Sequence, residues 1–160
     1  MKTRKLAKND RVQFMTLLKK IAQDNFFSYT EKITEAVFDA LLTSKRGQTY
    51  VLETKDGLVS YIIISKRFPK ESAHIAQIQS LGTNPLLRKQ GFGEILVRTV
   101  LAMLKKEGYK SIILDVINGN KSAIRLYEKL GFKESGRIKG GFIKNKKTYD
   151  IVSFILPLNR

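Results

Sequence analysis

The segment "LLRKQGFGEILV", Leu86 to Val97, sets Gly91 and Gly93 one residue apart, behind Arg88 and Lys89, where an apolar helical run begins. Glycine inside a buried helix weakens it, so the pair needs another reason to be there. The first turn of a helix has backbone N–H groups without intrahelical partners, and the helix dipole adds partial positive charge. Glycines at that point let an anionic group approach the backbone, and Arg88 and Lys89 add charge. The chemistry indicated is phosphate capture. Two common forms of it are absent. Gly93 is followed by Glu94, so there is no Gly-Lys-Ser/Thr ending of a P-loop, and Leu96 stands where a dinucleotide fingerprint has its third glycine. Taken alone, the pair also fits tight helix–strand packing.

Composition removes other chemistries. The chain has no cysteine, hence no disulfide, thiolate zinc site or cysteine nucleophile, and His74 alone does not make a histidine-rich metal site. The formal charge of +16 attracts polyanions: nucleic acid, an anionic membrane, or a phosphorylated cofactor or substrate. The basic residues are spread out, with short concentrations at "KTRKLAK" and "KNKK", and there is neither a basic arm nor an interleaved aromatic motif. The reading is a solvated basic surface rather than a nucleic-acid site. No apolar run approaches the ~20 residues that span a bilayer. The opening "MKTRKLAKND" lacks an apolar signal core, so a cytoplasmic protein without a membrane partner is expected.

The elements that must position these residues fit one domain, residues 1–160, with no repeat or linker. Residues 3–7 read as a first strand. Asn9 or Asp10 caps a helix to about Ile21, on the spacing of Val12, Leu17, Leu18 and Ile21. Thr30 caps a second helix, striped by Ile33, Val37, Leu41 and Leu42 and failing near Gly47. "QTYVLE" and "LVSYIIIS" form a hairpin across Asp56-Gly57. "SAHIAQIQSLGT" is a strand, followed by the glycine turn, a helix from about Gly91 to Glu107, the buried strand "KSIILDVI", and the helix "NKSAIRLYEKL". Two strands near 132–143 and 148–156, joined at "KNKK", end the chain. The order predicts a mixed sheet with helices on both faces, and a parallel strand–helix–strand crossover around residues 75–117.

In this setting "LGTNPLLRKQGFGEILV" resembles the acetyl-coenzyme-A motif of the GNAT acetyltransferases, a strand leading into Arg/Gln-x-x-Gly-x-Gly/Ala and a long helix; here it is Arg88-x-x-Gly91-x-Gly93. The family's second motif is matched by "NKSAIRLYEKLGF", with Asn120, Ala123, Leu126, Tyr127, Gly131 and Phe132 in place. "TRKLAKNDRVQFMTLLKKI" resembles the family's first strand and helix. The resemblance covers nearly the whole chain and is specific from about residue 78 to 132. It implies an α/β (α+β) fold: a mixed, mostly antiparallel sheet of about seven strands, flanked by four helices, with a splayed parallel pair in the middle. It also implies acetyl-CoA as cosubstrate. Backbone N–H groups of Gln90, Gly91, Phe92, Gly93 and Glu94 would hold the pyrophosphate. The pantetheine arm would run beside Leu81, Gly82 and Thr83, with Asn120 bonding to it and Ala123 and Tyr127 nearby. Arg88, Lys89, and Lys121 or Lys129 would meet the 3′-phosphate.

The activity implied is direct acetyl transfer to a primary amine, of a small molecule or a protein N-terminus. Tyr127, by helical spacing alone a core tyrosine, stands where the family keeps its general acid; the Leu81 N–H would serve the oxyanion. For the base, one family position falls on Gln77, which cannot act as one; another, twelve residues before the tyrosine, falls on Asp115 in "LDV", the best candidate, possessing a short side chain that calls for a bridging water. His74 is expected at the start of its strand, far from the thioester. "NFFSYTEKI", with Phe26, Phe27 and Tyr29, and "GRIKGGFIKNKKTYD", with Tyr149 and Asp150, are expected to wall the acceptor site. A rival reading is a catalytically reduced basic module that binds RNA or the ribosome, suggested by Gln77 and the charge. The resemblance is compatible with a homodimer, which no residue decides.

Overall fold

The computed structural model describes residues 1–22 and 34–158. The sequence-based cap at Thr30, the stripe residue Ile33, and Phe26, Phe27 and Tyr29 lie outside the described residues. Seven strands form one sheet in the order β1-β2-β3-β4-β5-β7-β6. They are β1 (Lys2–Lys5), β2 (Gly47–Thr54), β3 (Gly57–Lys66), β4 (Ile75–Thr83), β5 (Ser111–Ile117), β6 (Lys133–Lys144) and β7 (Lys147–Pro157). Among the described residues four α-helices accompany them: α1 (Arg11–Ile21), α2 (Glu35–Thr43), α3 (Phe92–Lys106) and α4 (Lys121–Lys129). All neighbouring strands are antiparallel except β4 and β5. That parallel pair is joined by α3, as the crossover expectation requires.

The strands alternate, and the two kinds of position bury different faces. Over one face lie α3 and α4: Leu96, Val97, Val100, Leu104 and Tyr127 pack on Ile62, Ile64, Ala76, Ile78, Ile112 and Leu114. Over the other, α1 and α2 bring Phe14, Leu17, Leu18, Ile21 and Phe38 onto Val51, Tyr61 and Ile63. Leu17, Leu18 and Ile21 are buried and Val37, Leu41 and Leu42 pack against the core as expected, with one departure and one addition. Val12 is 77% exposed, because Phe14, Met15, Leu17, Leu18 and Ile21 take the buried side of α1. In α2 the fully buried residue is Phe38, which meets Phe14 edge-on at 6.0 Å between ring centres. Gly47 opens β2 instead of ending α2, and a Cβ on it would lie 2.7 Å from the Ile64 carbonyl oxygen.

Asp10 stands at the N-terminus of α1 without capping it by its side chain. Its carboxylate, on a residue 4% exposed, instead receives two Arg4 guanidinium N–H groups, at 2.6 and 2.8 Å, and the Ala7 N–H at 2.8 Å. Those bonds tie β1 to the first helix. The closing hairpin turns through Asn145 and Lys146, both left-handed at φ 51° and 62°, the backbone that a two-residue turn demands. Among the described residues no helix is long and apolar enough to cross a membrane, and no cluster of three or more metal-ligating side chains occurs.

Candidate active site

The parallel pairing of β4 and β5 is short. It joins Ile75–Ile78 to Ser111–Leu114 and stops. Beyond that point β4 stays on β3 as far as Thr83, and β5 stays on β7 as far as Ile117. The parting follows from a register shift: Ile63 faces Ser80 while Ile64 faces Ile78, so Gln79 is an extra residue in β4. A bulge of this kind bends its strand and re-aims the side chains after it. Gln79 donates to Ser65 Oγ (2.8 Å), and the Ser80 hydroxyl lies 3.0 Å from that of Tyr61, on the α1 side of the sheet. Leu81 turns back to pack on the α3 side. The facing edges of residues 79–83 and 115–117 have no partner across the gap. Their main-chain groups can pair with an extended ligand as a strand would.

The turn after β4 is held by Asn84, whose Oδ1 accepts from the Leu86 N–H (3.2 Å). Lys89 and Gly91 are both left-handed, at φ 61° and 83°. A Cβ on Gly91 would meet nothing within 4 Å, so this glycine serves the backbone conformation and leaves open space above the turn. No side chain caps α3, whose first main-chain bond runs from the Ile95 N–H to the Gly91 carbonyl (3.0 Å). The N–H groups of Phe92, Gly93 and Glu94 therefore have no acceptor inside the helix. Gly93 has the other role: its Cβ would lie 3.2 Å from Thr83 Oγ1, so it permits close approach of α3 to β4. Thr83 is itself fixed by a 2.8 Å bond to the buried Ser60 hydroxyl. Gly82 packs on the opposite side, where a Cβ would come within 2.6 Å of the Tyr61 ring.

Three polar residues from the sequence reading carry structural duties. The Glu94 carboxylate accepts from Lys129 Nζ (2.6 Å) and Arg98 Nε (3.0 Å), which hold its pKa below the ordinary carboxylate value. This pairing links α3 to α4 and gives Lys129, one of the two lysines offered to a 3′-phosphate, a carboxylate partner. Asn120 caps α4, its Oδ1 accepting from the Ala123 N–H (3.2 Å) and Ser122 Oγ (3.0 Å). Its amide nitrogen makes no bond among the described residues. Arg88, Lys89 and Gln90 are exposed along the turn.

Tyr127 lies on the α3 side, 5% exposed, edge-on to Phe132 at 5.4 Å. Burial raises its pKa above the ordinary phenol value, so it remains protonated at neutral pH. Its hydroxyl has no hydrogen-bond partner among the described residues, and no fully buried polar side-chain atom there lacks one. The hydroxyl therefore reaches accessible space. Asp115 lies on the other side of the sheet, exposed, at the residue where β5 leaves β4. It accepts from Ser153 Oγ at 2.6 Å. It borders a cleft of about 580 Å³ that also includes Ser65, Arg67, Gln77 and Gln79. A protonated phenol and a carboxylate thus flank the parting strands from opposite faces. His74 is exposed just before β4, outside this arrangement. Asp150, expected on the acceptor wall, accepts from the Gly140 N–H (3.1 Å) and Arg137 (3.2 Å) and braces an irregularity in β6.

Ser65, Gln79, Ser80 and Ser153 were not singled out from sequence. Each is a polar residue in an otherwise apolar strand, and that shared pattern was the available signal.

Comparison with known proteins agrees with this geometry. Residues 15–132 match the acetyltransferase (GNAT) family. Human N-acetyltransferase 8B is 46% identical over 50 residues, 31% of this chain and 22% of that protein, so the chain spans under a quarter of that relative's length. The [ribosomal protein bS18]-alanine N-acetyltransferase of Escherichia coli is 29% identical over 118 residues, covering 72% of this chain and 77% of that one. The crystal structure of smu.2055 from Streptococcus mutans superposes with a TM-score of 0.86 over 99% of this chain and 100% of the other, at 22% identity. The parted β4–β5 pair, the uncapped α3 terminus and the match across most of the chain lead to one assignment: this protein belongs to the GNAT acetyltransferase family.

Proposed function

We propose that the protein transfers an acetyl group from acetyl-CoA directly to a primary amine, of a small molecule or a protein N-terminus. The observation that carries this reading is the gap between β4 and β5, which opens beside the uncapped α3 terminus and has Tyr127 on one side and Asp115 on the other. The residues fit the cosubstrate. Free N–H groups at Phe92, Gly93 and Glu94 suit a pyrophosphate, with Gln90 and Gly91 completing the turn. Arg88, Lys89 and Lys121 supply charge for a further phosphate. The unpaired edge at Leu81, Gly82 and Thr83 suits an amide-bearing pantetheine arm, and the spare Asn120 amide is a donor for it near Ala123.

Asp115 takes a proton from the ammonium form of the acceptor, through water where its short side chain falls short. The neutral nitrogen forms the C–N bond as the C–S bond breaks, and the Leu81 N–H stabilises the oxygen that gains charge. Tyr127 gives its proton to the departing sulfur and regains one from the second nitrogen proton. The balance is ammonium plus thioester to amide, thiol and one released proton. We assign the enzyme to the cytoplasm, where acetyl-CoA and free amines meet.

The test is a thermal-shift titration with acetyl-CoA, followed by thiol release across amines and N-terminal peptides. A rise in Tm and amine-dependent thiol release are expected. No shift together with no thiol release rejects the function.

A further inference from the structure

We propose that the acceptor is a primary amine that also carries an anionic group, its nitrogen at Asp115 and its anion at Arg67. The inference rests on the acetyl-transfer reading and deepens it. The cleft of about 580 Å³ beside the parting strands has a marked charge pattern. Among the described residues it contains one carboxylate, Asp115, and two cations, Lys66 and Arg67. The only hydrogen bond Asp115 receives there is neutral, from Ser153 Oγ, and neither Asp115 nor Arg67 forms an ion pair with a described residue. The neutral side chains of Gln77, Gln79 and Ser65 lie between them. The cleft thus presents one unmatched carboxylate at one end and cations, Arg67 and Lys66, at the other, and the complementary ligand has an ammonium and an anion.

The spacing sets its length. Ser65, Gln77 and Ile113 form one row across β3, β4 and β5. Arg67 lies two residues to one side of that row and Asp115 two residues to the other. Strand spacing and rise then put their Cα atoms about 16 Å apart. With both side chains leaning inward, roughly 10 Å remains, the span of about three extended residues. Phe68, 76% exposed at the rim, offers a surface to an apolar spacer.

The same pattern disfavours polycationic amines. A polyamine or aminoglycoside needs several carboxylates and would meet one, beside two cations, on a protein of net charge +16. That field raises the local concentration of anion-bearing acceptors. Whether the anion is a carboxylate or a phosphate is decided by the experiment.

The experiment compares kcat/KM for a tripeptide with a free C-terminal carboxylate, its C-terminal amide, an aminoalkyl phosphate of matching length, and spermidine. At low salt the acid is expected to exceed the amide about tenfold, mainly through KM, with spermidine below the amide. If the phosphate exceeds the acid, phosphate is the preferred anion. Arg67→Glu is expected to reverse the acid-to-amide preference. Equal rates on acid and amide, spermidine as the best acceptor, or an unchanged preference in Arg67→Glu overturns this inference and leaves acetyl transfer standing. Absence of turnover on every amine overturns both.

Discussion

The two faces of the β4–β5 pair are made by alternate residues of the same short strands, and they have opposite characters. Ala76, Ile78, Ile112 and Leu114 are sealed beneath α3 and α4. Gln77, Gln79, Ile113 and Asp115 line an open cleft. The sealed face supplies rigidity, and Tyr127, the proposed acid, is held there by packing. The open face contributes little to the core and is free to be polar. One pair of strands within the sheet can therefore serve the two separate environments that the proposed reaction needs, because a β-strand addresses both faces at once.

The largest test attacks the sealed face. Leu114→Ala should cost about 3 kcal/mol in urea unfolding, the usual result of truncating a buried leucine. Next, Tyr127→Phe should lower turnover about 100-fold, near 2.7 kcal/mol, with acetyl-CoA affinity unchanged in a calorimetric titration. A wild-type rate would return this residue to the core and erase its catalytic role. Acid probes what the comparison predicts by omission. No side chain in either face's core gains a proton in acid, so acid lability should trace to ion pairs such as Arg4–Asp10. The Asp10 carboxyl is held below its ordinary range, chiefly by Arg4. Its contribution is complete above the unfolded pKa and is lost as pH falls through the lower folded one. Asp10→Asn should cost about 2 kcal/mol at neutral pH and flatten the stability curve below about pH 4, read by thermal unfolding.

Smaller effects belong to the open face. Asp115→Asn should slow turnover about tenfold while Tm stays near wild type. A loss of stability instead would make Asp115 a structural partner of Ser153. Gln79→Ala should change unfolding free energy by under about 0.5 kcal/mol, and a cost like that of Leu114→Ala would abolish the contrast between faces.

Much of this was legible beforehand, for a physical reason in each case. Periodicity and turn residues located the helices and the two hairpins, because those signals are local. The motifs around Gly91 and Tyr127 placed α3 and α4, because a cosubstrate's backbone contacts constrain nearby residues in sequence. What escaped is non-local. Val12 looked apolar at helical spacing, yet which side of α1 faces inward depends on Phe38 and Tyr61, far along the chain. Lys129 read as a spare cation until Glu94, 35 residues earlier, proved to be its partner. The cleft is assembled from single polar residues of several strands, and no one strand announces it.

The extra residue at Gln79 also acts as a change of phase. Up to Ile78, even-numbered positions of β4 face α3; after the shift, odd-numbered ones do, which is why Leu81 is in the core and Gly82 lies against Tyr61. A chain shortened by this one residue would keep nearly the same composition and hydrophobicity. Ile78 would then be followed directly by Ser80, and plain alternation would keep Leu81 toward α3 and Gly82 toward Tyr61 while removing the bulge. The parting of the strands is thus encoded partly in a count: a one-residue deletion there should spare the packing of Leu81 and straighten β4, which no single substitution at the same position does.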